Sequence, residues 1–450
     1  MSEANGVNKR KPAAVIIFSA AVVFLAAASL AVLYFSFTSE TASARGELPR
    51  VDTPVIRAPA QDIFQDISQD NVPDDVPPPE AGTPEPALEA FIPDEYISAR
   101  ASEILASMTD KEKLYQLFFV TPEALTGYKR VYQAGNATKT ALERYPVGGI
   151  VYFESNIDTP GQISDMLAKT QELSKIPLFL GVDEEGGRVA RISSQRAMGF
   201  DAIPPAAELG ASGDPDAAYS AGVKLGDMLS SLGFNMDFAP VADVLTNPAN
   251  TEIGDRSFGS DAALVAEMTA SFVEGLHTAG LPAGGIASAL KHFPGHGGIE
   301  GDSHAGYVES SKTADELRQT ELLPFAAGIA AGADFVLVSH LSATGIDASG
   351  EPSSLSSAVV TGLLRNELGF GRIIITDSLS MGAVTDAHTG EEAAVLAVQA
   401  GADMLLMPPD LQKAAAALEA AVADGRLTTD RIDESVLRIL YVKLERGIIG

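Results

Sequence analysis

The feature that most constrains the fold of this chain is a regular alternation of short apolar runs and helix-like segments. Eight such runs have the composition of buried parallel strands, at residues 115–120, 148–153, 177–182, 235–240, 286–293, 334–340, 372–377 and 403–408. Each run is followed by a segment of helical character. Eight strand–helix units over about 350 residues predict an α/β fold, a TIM-like (β/α)8 barrel. A doubly wound sheet also alternates in this way and remains the alternative.

Polar residues recur where the apolar runs end. They are Asp183, Asp243, Lys291, His292, His340 and Asp377. In a barrel the carboxyl ends of all strands meet at one face, where the active site is built. The sequence therefore predicts a site at this face, assembled from several strands.

The N-terminus contains a long apolar segment. Residues 12–39 form a run of 28 residues without a charge, preceded by Lys9, Arg10 and Lys11. A membrane-spanning helix needs about 20 apolar residues. We therefore expect a cytoplasmic segment at 1–11, a signal anchor at 12–39 and an extracytoplasmic body. The Ala-Ser-Ala sequence at 42–44 leaves a cleaved signal peptide and secretion as the alternative.

Residues 40–91 have the composition of a linker. Between residues 46 and 90 there are nine prolines, ten acidic residues and two basic ones. Such a segment buries too little apolar surface to offset chain entropy, so we expect a disordered spacer. The single folded domain is predicted at 92–450.

Charge and cysteine content exclude several classes of function. The formal net charge of −29 argues against nucleic acid or an anionic membrane surface as the main partner. Because there is no cysteine, disulfides, thiolate metal sites and a cysteine nucleophile are excluded.

Asp377 directly follows a strand-like run rich in β-branched residues. A carboxylate there is costly unless it is paired or hydrogen-bonded. It suits a nucleophile or an electrostatic partner for a cationic transition state. Capping of the following helix is the alternative.

The loop "DEEGGRVAR" after the third run carries Asp183, Arg188 and Arg191. Ionised side chains fixed at a barrel mouth bind hydroxyl groups well, because charge-assisted hydrogen bonds are short and directional. A solvated acidic loop is the alternative, and it suits Glu184 and Glu185 better than Asp183.

Arg256 lies in the long connection between the fourth and fifth runs, within "NTEIGDRSFG". Its guanidinium could hold a substrate oxygen or could pair with the neighbouring Asp255. Spacing alone leaves both open.

Three of the six histidines fall within the stretch 291–304, "KHFPGHGGIEGDSH". His292 and His296 have the spacing of a helical zinc motif, but Pro294 and Gly295 prevent a regular helix between them. A metal site formed by loops remains open. A phosphate loop is excluded, because the glycines follow the lysine and no Lys-Ser or Lys-Thr begins a helix.

The same stretch ends with Asp302 and His304, two residues apart on a Gly-rich loop. A carboxylate bonded to one imidazole nitrogen fixes the tautomer and makes the other nitrogen a better base. Such a histidine can give and take a proton near neutral pH. An exposed loop histidine is the alternative.

Taken together, "KHFPGHG", "DSH", "GVDEEGGRVAR", "IGDRSFG" and "ITDSLSMGA", in their observed order, resemble glycoside hydrolase family 3. The closer similarity is to the bacterial β-N-acetylglucosaminidase (β-hexosaminidase) branch of that family. The resemblance extends from about residue 97 to the C-terminus. It implies a retaining enzyme on a TIM-like barrel, with no metal and no cofactor.

The resemblance also implies roles for individual residues. Asp377 matches the nucleophile, and His304 with Asp302 matches the acid/base dyad. The residues that match the ligands of the terminal N-acetylglucosamine are Asp183, Arg191, Arg256, Lys291 and His292. Two positions depart from the pattern, since Gly298 and Ile299 stand where an acidic residue and a threonine are common.

These observations predict a membrane-tethered exo-β-N-acetylglucosaminidase acting on peptidoglycan fragments or chitooligosaccharides. Its expected partner is a small carbohydrate and not nucleic acid, its membrane contact is the N-terminal helix, and its catalytic domain is expected to be a monomer. The alternatives are another β-glycosidase of the family such as a β-glucosidase, a glycoside phosphorylase, and a catalytically silent sugar-binding barrel.

Overall fold

A computed structural model describes residues 94–280, 284–299 and 306–450. The predicted anchor at 12–39, the predicted linker at 40–91, Asp302 and His304 all lie outside these residues. Within the described part of the chain, no helix is both long enough and apolar enough to cross a membrane.

Within the described residues, ten strands form two sheets. In chain order they are β1 (Phe118–Val120), β2 (Gly149–Tyr152), β3 (Phe179–Val182), β4 (Met236–Asp237), β5 (Ala287–Phe293), β6 (Glu309–Ser310), β7 (Phe335–Val338), β8 (Ser342–Ala343), β9 (Ile373–Thr376) and β10 (Leu405–Leu406). Eight of them form one sheet in the order β10-β1-β2-β3-β4-β5-β7-β9, and β6 pairs with β8. Each of the eight predicted strands is therefore confirmed.

The large sheet curves round until its two end strands meet. All its strand pairs are parallel. Ile375 in β9 forms a parallel bridge with Met404 beside β10, and the amide of Thr376 donates to the Met404 carbonyl at 3.1 Å. This arrangement is a TIM-like barrel, so the alternative of an open, doubly wound sheet is wrong.

Helical segments lie between the strands. The α-helices are Glu95–Ser107, Asp110–Gln116, Pro122–Thr126, Asn136–Arg144, Pro160–Leu173, Ala206–Ala211, Pro215–Leu232, Ala262–Thr278, Ala314–Arg318, Leu322–Ala330, Gly382–Thr385, Gly390–Ala400, Leu411–Ala423 and Thr429–Glu445. A π-helix spans Ala358–Glu367. The helix Pro215–Leu232 ends at a glycine, Gly233, whose φ of 98° is left-handed.

Aromatic rings fill the inside of the barrel. Phe119 packs edge-on against Phe238 with 5.3 Å between ring centroids, and Phe179 packs edge-on against Phe335 at 5.0 Å. All four rings are buried. Because the interior is closed by these side chains, any cavity for a ligand must lie above them, at the carboxyl ends of the strands.

Buried ion pairs hold the opposite end of the barrel. Asp334, which directly precedes β7, accepts from Arg372 at 2.9 Å and from Arg446 at 3.0 Å. Asp403, just before β10, pairs with Arg365 at 2.5 Å and with Arg438 at 3.0 Å. Both carboxylates lie at the N-terminal ends of their strands. They therefore stabilise the end of the barrel opposite the candidate site.

Candidate active site

A cavity of about 630 Å³ opens at the carboxyl ends of the strands. Its lining residues are Val151, Phe153, Asp183, Glu185, Arg188, Val189, Arg191, Phe238, Glu252, Arg256, Lys291, His292, Leu337, Asp377, Ser378, Ser380, Met381, Leu406 and Met407. Apolar walls with a few charged groups are typical of a small-molecule site. The structure thus brings together all six predicted site residues that it describes.

Lys291 and Arg256 are joined by a carboxylate that the sequence did not single out. The ammonium of Lys291 lies 2.9 Å from Asp183 Oδ1 and 2.6 Å from Glu185 Oε1. The Arg256 guanidinium binds both oxygens of Glu185, with two N–O distances of 2.8 Å. Since Lys291 has three N–H donors, these contacts leave one for another acceptor.

His292 is fixed by a second buried carboxylate. Its Nδ1 lies 2.7 Å from Asp243 Oδ2, and its Nε2 lies 3.1 Å from Arg256 Nη2. An arginine only donates, so Nε2 must accept, and in a neutral ring the proton is then on Nδ1, facing Asp243. We call Asp183, Lys291, Glu185, Arg256, His292 and Asp243 the charged cluster.

The ion pairs of the charged cluster fix its protonation. Burial opposes ionisation of Glu185, but the charges of Lys291 and Arg256 outweigh it and lower the pKa of Glu185 to about 2. Burial likewise opposes the charged form of Lys291, yet Asp183 and Glu185 raise the pKa of its ammonium. Both groups therefore stay charged across the physiological pH range.

The loop after β3 is held from beneath by Glu184, which is fully buried. Its carboxylate accepts the amides of Arg191 at 2.6 Å and Ser193 at 3.0 Å. Gly186 and Gly187 have φ values of 86° and 57°, a conformation that glycine adopts without strain. The expectation that Glu184 and Glu185 are solvated is therefore wrong, since both shape or charge the site from within.

This loop presents Arg191 to the cavity. Its guanidinium lies 5.9 Å from the centroid of the Phe153 ring. Its Nε is buried and has no hydrogen-bond partner among the described residues. A buried, unsatisfied donor that lines a cavity is suited to a ligand oxygen.

Arg256 does not pair with Asp255. Asp255 instead pairs with Arg188, whose Nε lies 2.9 Å from Asp255 Oδ1. Arg188 also donates to the carbonyl of Thr251 at 2.7 Å. Arg188 therefore stabilises the loop that precedes Arg256, and Arg256 pairs with Glu185 instead of Asp255.

Asp377 directly follows β9, on the side of the barrel opposite β3 and Asp183. Its amide donates to the Val338 carbonyl at 2.8 Å, and its Oδ1 accepts from the Ser378 amide at 2.7 Å. The following helix begins after Met381 with no side-chain cap. The helix-capping alternative for Asp377 is therefore wrong, and its carboxylate lines the cavity.

His340 fixes the loop that follows Asp377. Its Nε2 lies 2.9 Å from the Ser378 carbonyl and its Nδ1 lies 2.7 Å from Ser354 Oγ. The ring is 1% exposed, so it acts from below the cavity.

His296 lies in the loop that follows β5, and its backbone is held by two hydrogen bonds. Its amide donates to Asp243 Oδ1 at 2.6 Å and its carbonyl accepts from Asn250 Nδ2 at 2.8 Å.

The described histidines of this stretch, His292 and His296, do not form a metal site. The Lys291–His292 and Phe293–Pro294 peptide bonds are cis. Within residues 94–280, 284–299 and 306–450, no group of three or more His, Asp or Glu side chains could hold a metal ion.

Packing explains the glycine at position 298, which is one of the two departures from the family pattern. A Cβ at this position would lie 2.7 Å from Thr246 Oγ1 and 3.2 Å from Glu321 Oε1. Glu321 is buried and paired with Lys312. In this chain a carboxylate from another segment thus occupies the space beside position 298.

Comparison with known proteins identifies the family. The model of the glycosyl hydrolase family 3 N-terminal domain matches residues 109–442. Beta-hexosaminidase A of Pseudoalteromonas piscicida is 34% identical over 67% of this chain, which spans about half of that relative, 54%. Beta-hexosaminidase LpqI of Mycobacterium tuberculosis is 35% identical over 80% of this chain and 89% of its own length.

A solved structure agrees with these relatives. The family 3 beta-N-acetylglucosaminidase from a Paenibacillus species superposes with a TM-score of 0.71 and 36% identity, over 76% of this chain and 64% of that one. The matched region includes the whole barrel from helix Asp110–Gln116 to β10 and the cavity at its mouth. The chain therefore belongs to glycoside hydrolase family 3.

Proposed function

We propose that this chain is a retaining exo-β-N-acetylglucosaminidase that releases terminal β-linked N-acetylglucosamine from peptidoglycan fragments or chitooligosaccharides. The observation that carries the proposal is that five members of the charged cluster, all except Asp243, line the same cavity as the carboxylate of Asp377 at the carboxyl ends of the strands. The names of the relatives, beta-hexosaminidases and a beta-N-acetylglucosaminidase, support the sugar specificity.

In this proposal the terminal sugar is bound by Asp183, Arg191, Arg256, Lys291 and His292. Their ion pairs are preformed, so hydroxyl groups meet oriented charges that need no reorganisation. Arg256 keeps two bonds to Glu185 in any case. His292 Nε2 can therefore exchange its contact with Arg256 for a sugar hydroxyl without leaving that guanidinium unpaired.

The proposed reaction has two displacements. The Asp377 carboxylate attacks the anomeric carbon while the bond to the leaving oxygen breaks and His304, oriented by Asp302, gives that oxygen a proton. His304 then takes a proton from water, whose oxygen attacks the same carbon and releases Asp377. Two inversions retain the β configuration. The roles of Asp302 and His304 rest on the sequence motif, since both lie outside the described residues.

We also propose that the barrel works outside the cytoplasm, tethered by the apolar segment 12–39. The three basic residues before this segment and the acidic composition after it support that orientation.

Hydrolysis of two chromogenic substrates tests the proposed function. We expect the full chain to release 4-nitrophenol from the N-acetyl-β-glucosaminide and far less from the plain β-glucoside. A preference for the glucoside would favour a β-glucosidase, and release that requires inorganic phosphate would favour a phosphorylase. If neither substrate is cleaved although both sugars bind, the barrel is catalytically silent.

Replacement of His304 by alanine tests the acid/base role. We expect the variant to retain much of its kcat/KM on the 4-nitrophenyl substrate and to lose most of it on N,N′-diacetylchitobiose, because kcat/KM reports the first displacement, in which His304 is the acid. An aryl oxygen leaves without help, whereas a sugar hydroxyl needs a proton. His388→Ala is the control, because His388 pairs with Glu351 outside the cavity lining. Equal losses on the two substrates would contradict the assignment.

A further inference from the structure

His340 is hydrogen-bonded through both ring nitrogens at the carboxyl end of the barrel. It lies two residues beyond β7 and is 1% exposed. Its Nε2 lies 2.9 Å from the Ser378 carbonyl oxygen, and its Nδ1 lies 2.7 Å from Ser354 Oγ. The ring therefore connects the loop after β7 to the loop after β9, which carries Asp377.

The chain on each side of His340 is bound to a short 3-10 helix further along the same loop, which contains Ser353 and Ser354. The amide and the hydroxyl of Ser353 both donate to the Leu341 carbonyl, at 2.8 Å and 2.6 Å. The Ser354 amide donates to the Ser339 carbonyl at 3.1 Å. Both neighbours of His340 are thus held in place, so the ring has a firm support.

The other partner of His340 is the residue that follows the proposed nucleophile, Asp377. The Ser378 amide donates to Asp377 Oδ1 at 2.7 Å. The Ser378 carbonyl accepts from His340 Nε2 and from the Met381 amide, the latter at 3.0 Å. Because the amide that orients Asp377 belongs to the residue that His340 holds, a shift of Ser378 would move the carboxylate. A misplacement of about 1 Å can cost on the order of 10²-fold in rate.

The two hydrogen bonds of the ring determine which nitrogen carries the proton. A carbonyl oxygen only accepts, so Nε2 of His340 must donate to Ser378. In a neutral ring Nδ1 is then an acceptor, and the Ser354 hydroxyl can donate to it. The opposite tautomer would place the lone pair of Nε2 against the carbonyl oxygen, and the bond to Ser378 would be lost.

We infer that His340 is a positioning residue for the first displacement: its neutral ring, protonated on Nε2, holds the Ser378 backbone and thereby orients the Asp377 carboxylate. This inference rests on the proposed function, in which Asp377 is the nucleophile. His340 itself is not part of the cavity lining, whereas Ser378 and Asp377 are. The effect of His340 on the reaction therefore passes through Ser378.

Two substitutions of different reach test the inference. The side-chain amide of glutamine reaches about as far as Nε2 of histidine, whereas that of asparagine ends near Nδ1. We expect His340→Asn to lower kcat/KM on 4-nitrophenyl N-acetyl-β-glucosaminide about tenfold, because the Ser378 carbonyl loses a donor and Asp377 is no longer aligned for attack. His340→Gln keeps a donor at the Nε2 position and should recover most of that loss. Equal losses in the two variants would overturn the inference.

Azide rescue separates the positioning of Asp377 from a general structural effect. In Asp377→Ala an azide ion takes the place of the carboxylate, so the orientation of residue 377 no longer affects the rate. His340→Asn added to Asp377→Ala should therefore change the azide-dependent rate less than about twofold. An equal loss in both backgrounds would overturn the inference. The matched control is His388→Asn, which removes a histidine paired with Glu351 outside the cavity lining and should change neither rate.

Failure of this inference and failure of the proposed function give different results. If the unchanged chain does not hydrolyse 4-nitrophenyl N-acetyl-β-glucosaminide, the proposed function is contradicted. Nitrogen-15 chemical shifts of the His340 ring, assigned by comparison with His340→Gln, then still test the protonation of the ring at neutral pH. We expect a proton on Nε2 alone, and a proton on Nδ1 would overturn the inference.

Discussion

Replacement of Asp377 by alanine is expected to lower kcat on N-acetyl-β-glucosaminides by on the order of 10⁴-fold, because the variant has no carboxylate to attack the anomeric carbon. Sodium azide should restore part of the rate, since a small anion fits the space of the missing side chain. The product would be the α-glycosyl azide, formed by a single inversion, and nuclear magnetic resonance would identify it.

Asp386→Ala is the matched control for this variant. Asp386 is an exposed carboxylate nine residues further along the chain, outside the cavity lining. The Asp386→Ala variant should have the same kcat as the unchanged chain. Asp377→Ala with normal turnover, or azide rescue that yields the β-product, would contradict the nucleophilic role.

Replacement of Glu185 by glutamine is expected to lower kcat/KM by about 10²-fold, which corresponds to roughly 3 kcal/mol of transition-state stabilisation. The buried cations Lys291 and Arg256 would lose the charge that lies between them. Glu185 is a positioning residue in this account, because it aligns two groups that bind the sugar. Glu185→Asp should recover part of the loss.

The pH profile separates this role from a general loss of structure. The pKa of Lys291 is raised against burial by Asp183 and Glu185, so removal of one negative charge must lower it. In the His304→Ala background, where the general acid no longer sets the alkaline limb of kcat/KM on the 4-nitrophenyl substrate, that limb should therefore move to lower pH in Glu185→Gln. Glu208→Gln, on an exposed residue, should leave the limb in place. A lower rate with an unmoved limb would indicate a merely structural effect.

The sequence predicted the fold well because its signals are local. Each of the eight apolar runs contains a strand. A run of consecutive apolar residues is visible in the local sequence, so it can be recognised without knowledge of distant contacts. The ends were less accurate: residues 235–240 were predicted as a strand, and only Met236–Asp237 pair as one. Where a strand stops depends on its partners' hydrogen bonds, which lie far away in sequence. For the same reason, the helical character expected after the sixth run did not indicate that this helix, Ala358–Glu367, would be a π-helix.

The site was predicted only for residues whose chemistry the motifs display. Asp183, Arg256, Lys291, His292 and Asp377 do line one cavity. Glu185 was missed because an acidic residue beside glycines has the composition of a solvated loop. Its burial depends on cations 71 and 106 positions away, and spacing carries no sign of that pairing. Arg256 and Lys291, both predicted at the barrel mouth, were the available signal, because two cations brought close together need a carboxylate near them.

The charged cluster has a consequence for how such a site can diverge. Each member contacts a partner on another strand or loop, so a single change leaves a buried charge without its counterion. A substitution in the charged cluster is therefore tolerated only together with a compensating one. The residues of the cluster should change more slowly than the residues around them. Exposed side chains such as those of Tyr128 and Tyr132 carry no buried charge, so they are free of this constraint. Changes in what the cavity binds should therefore arise at its exposed rim, around a charged cluster that changes slowly.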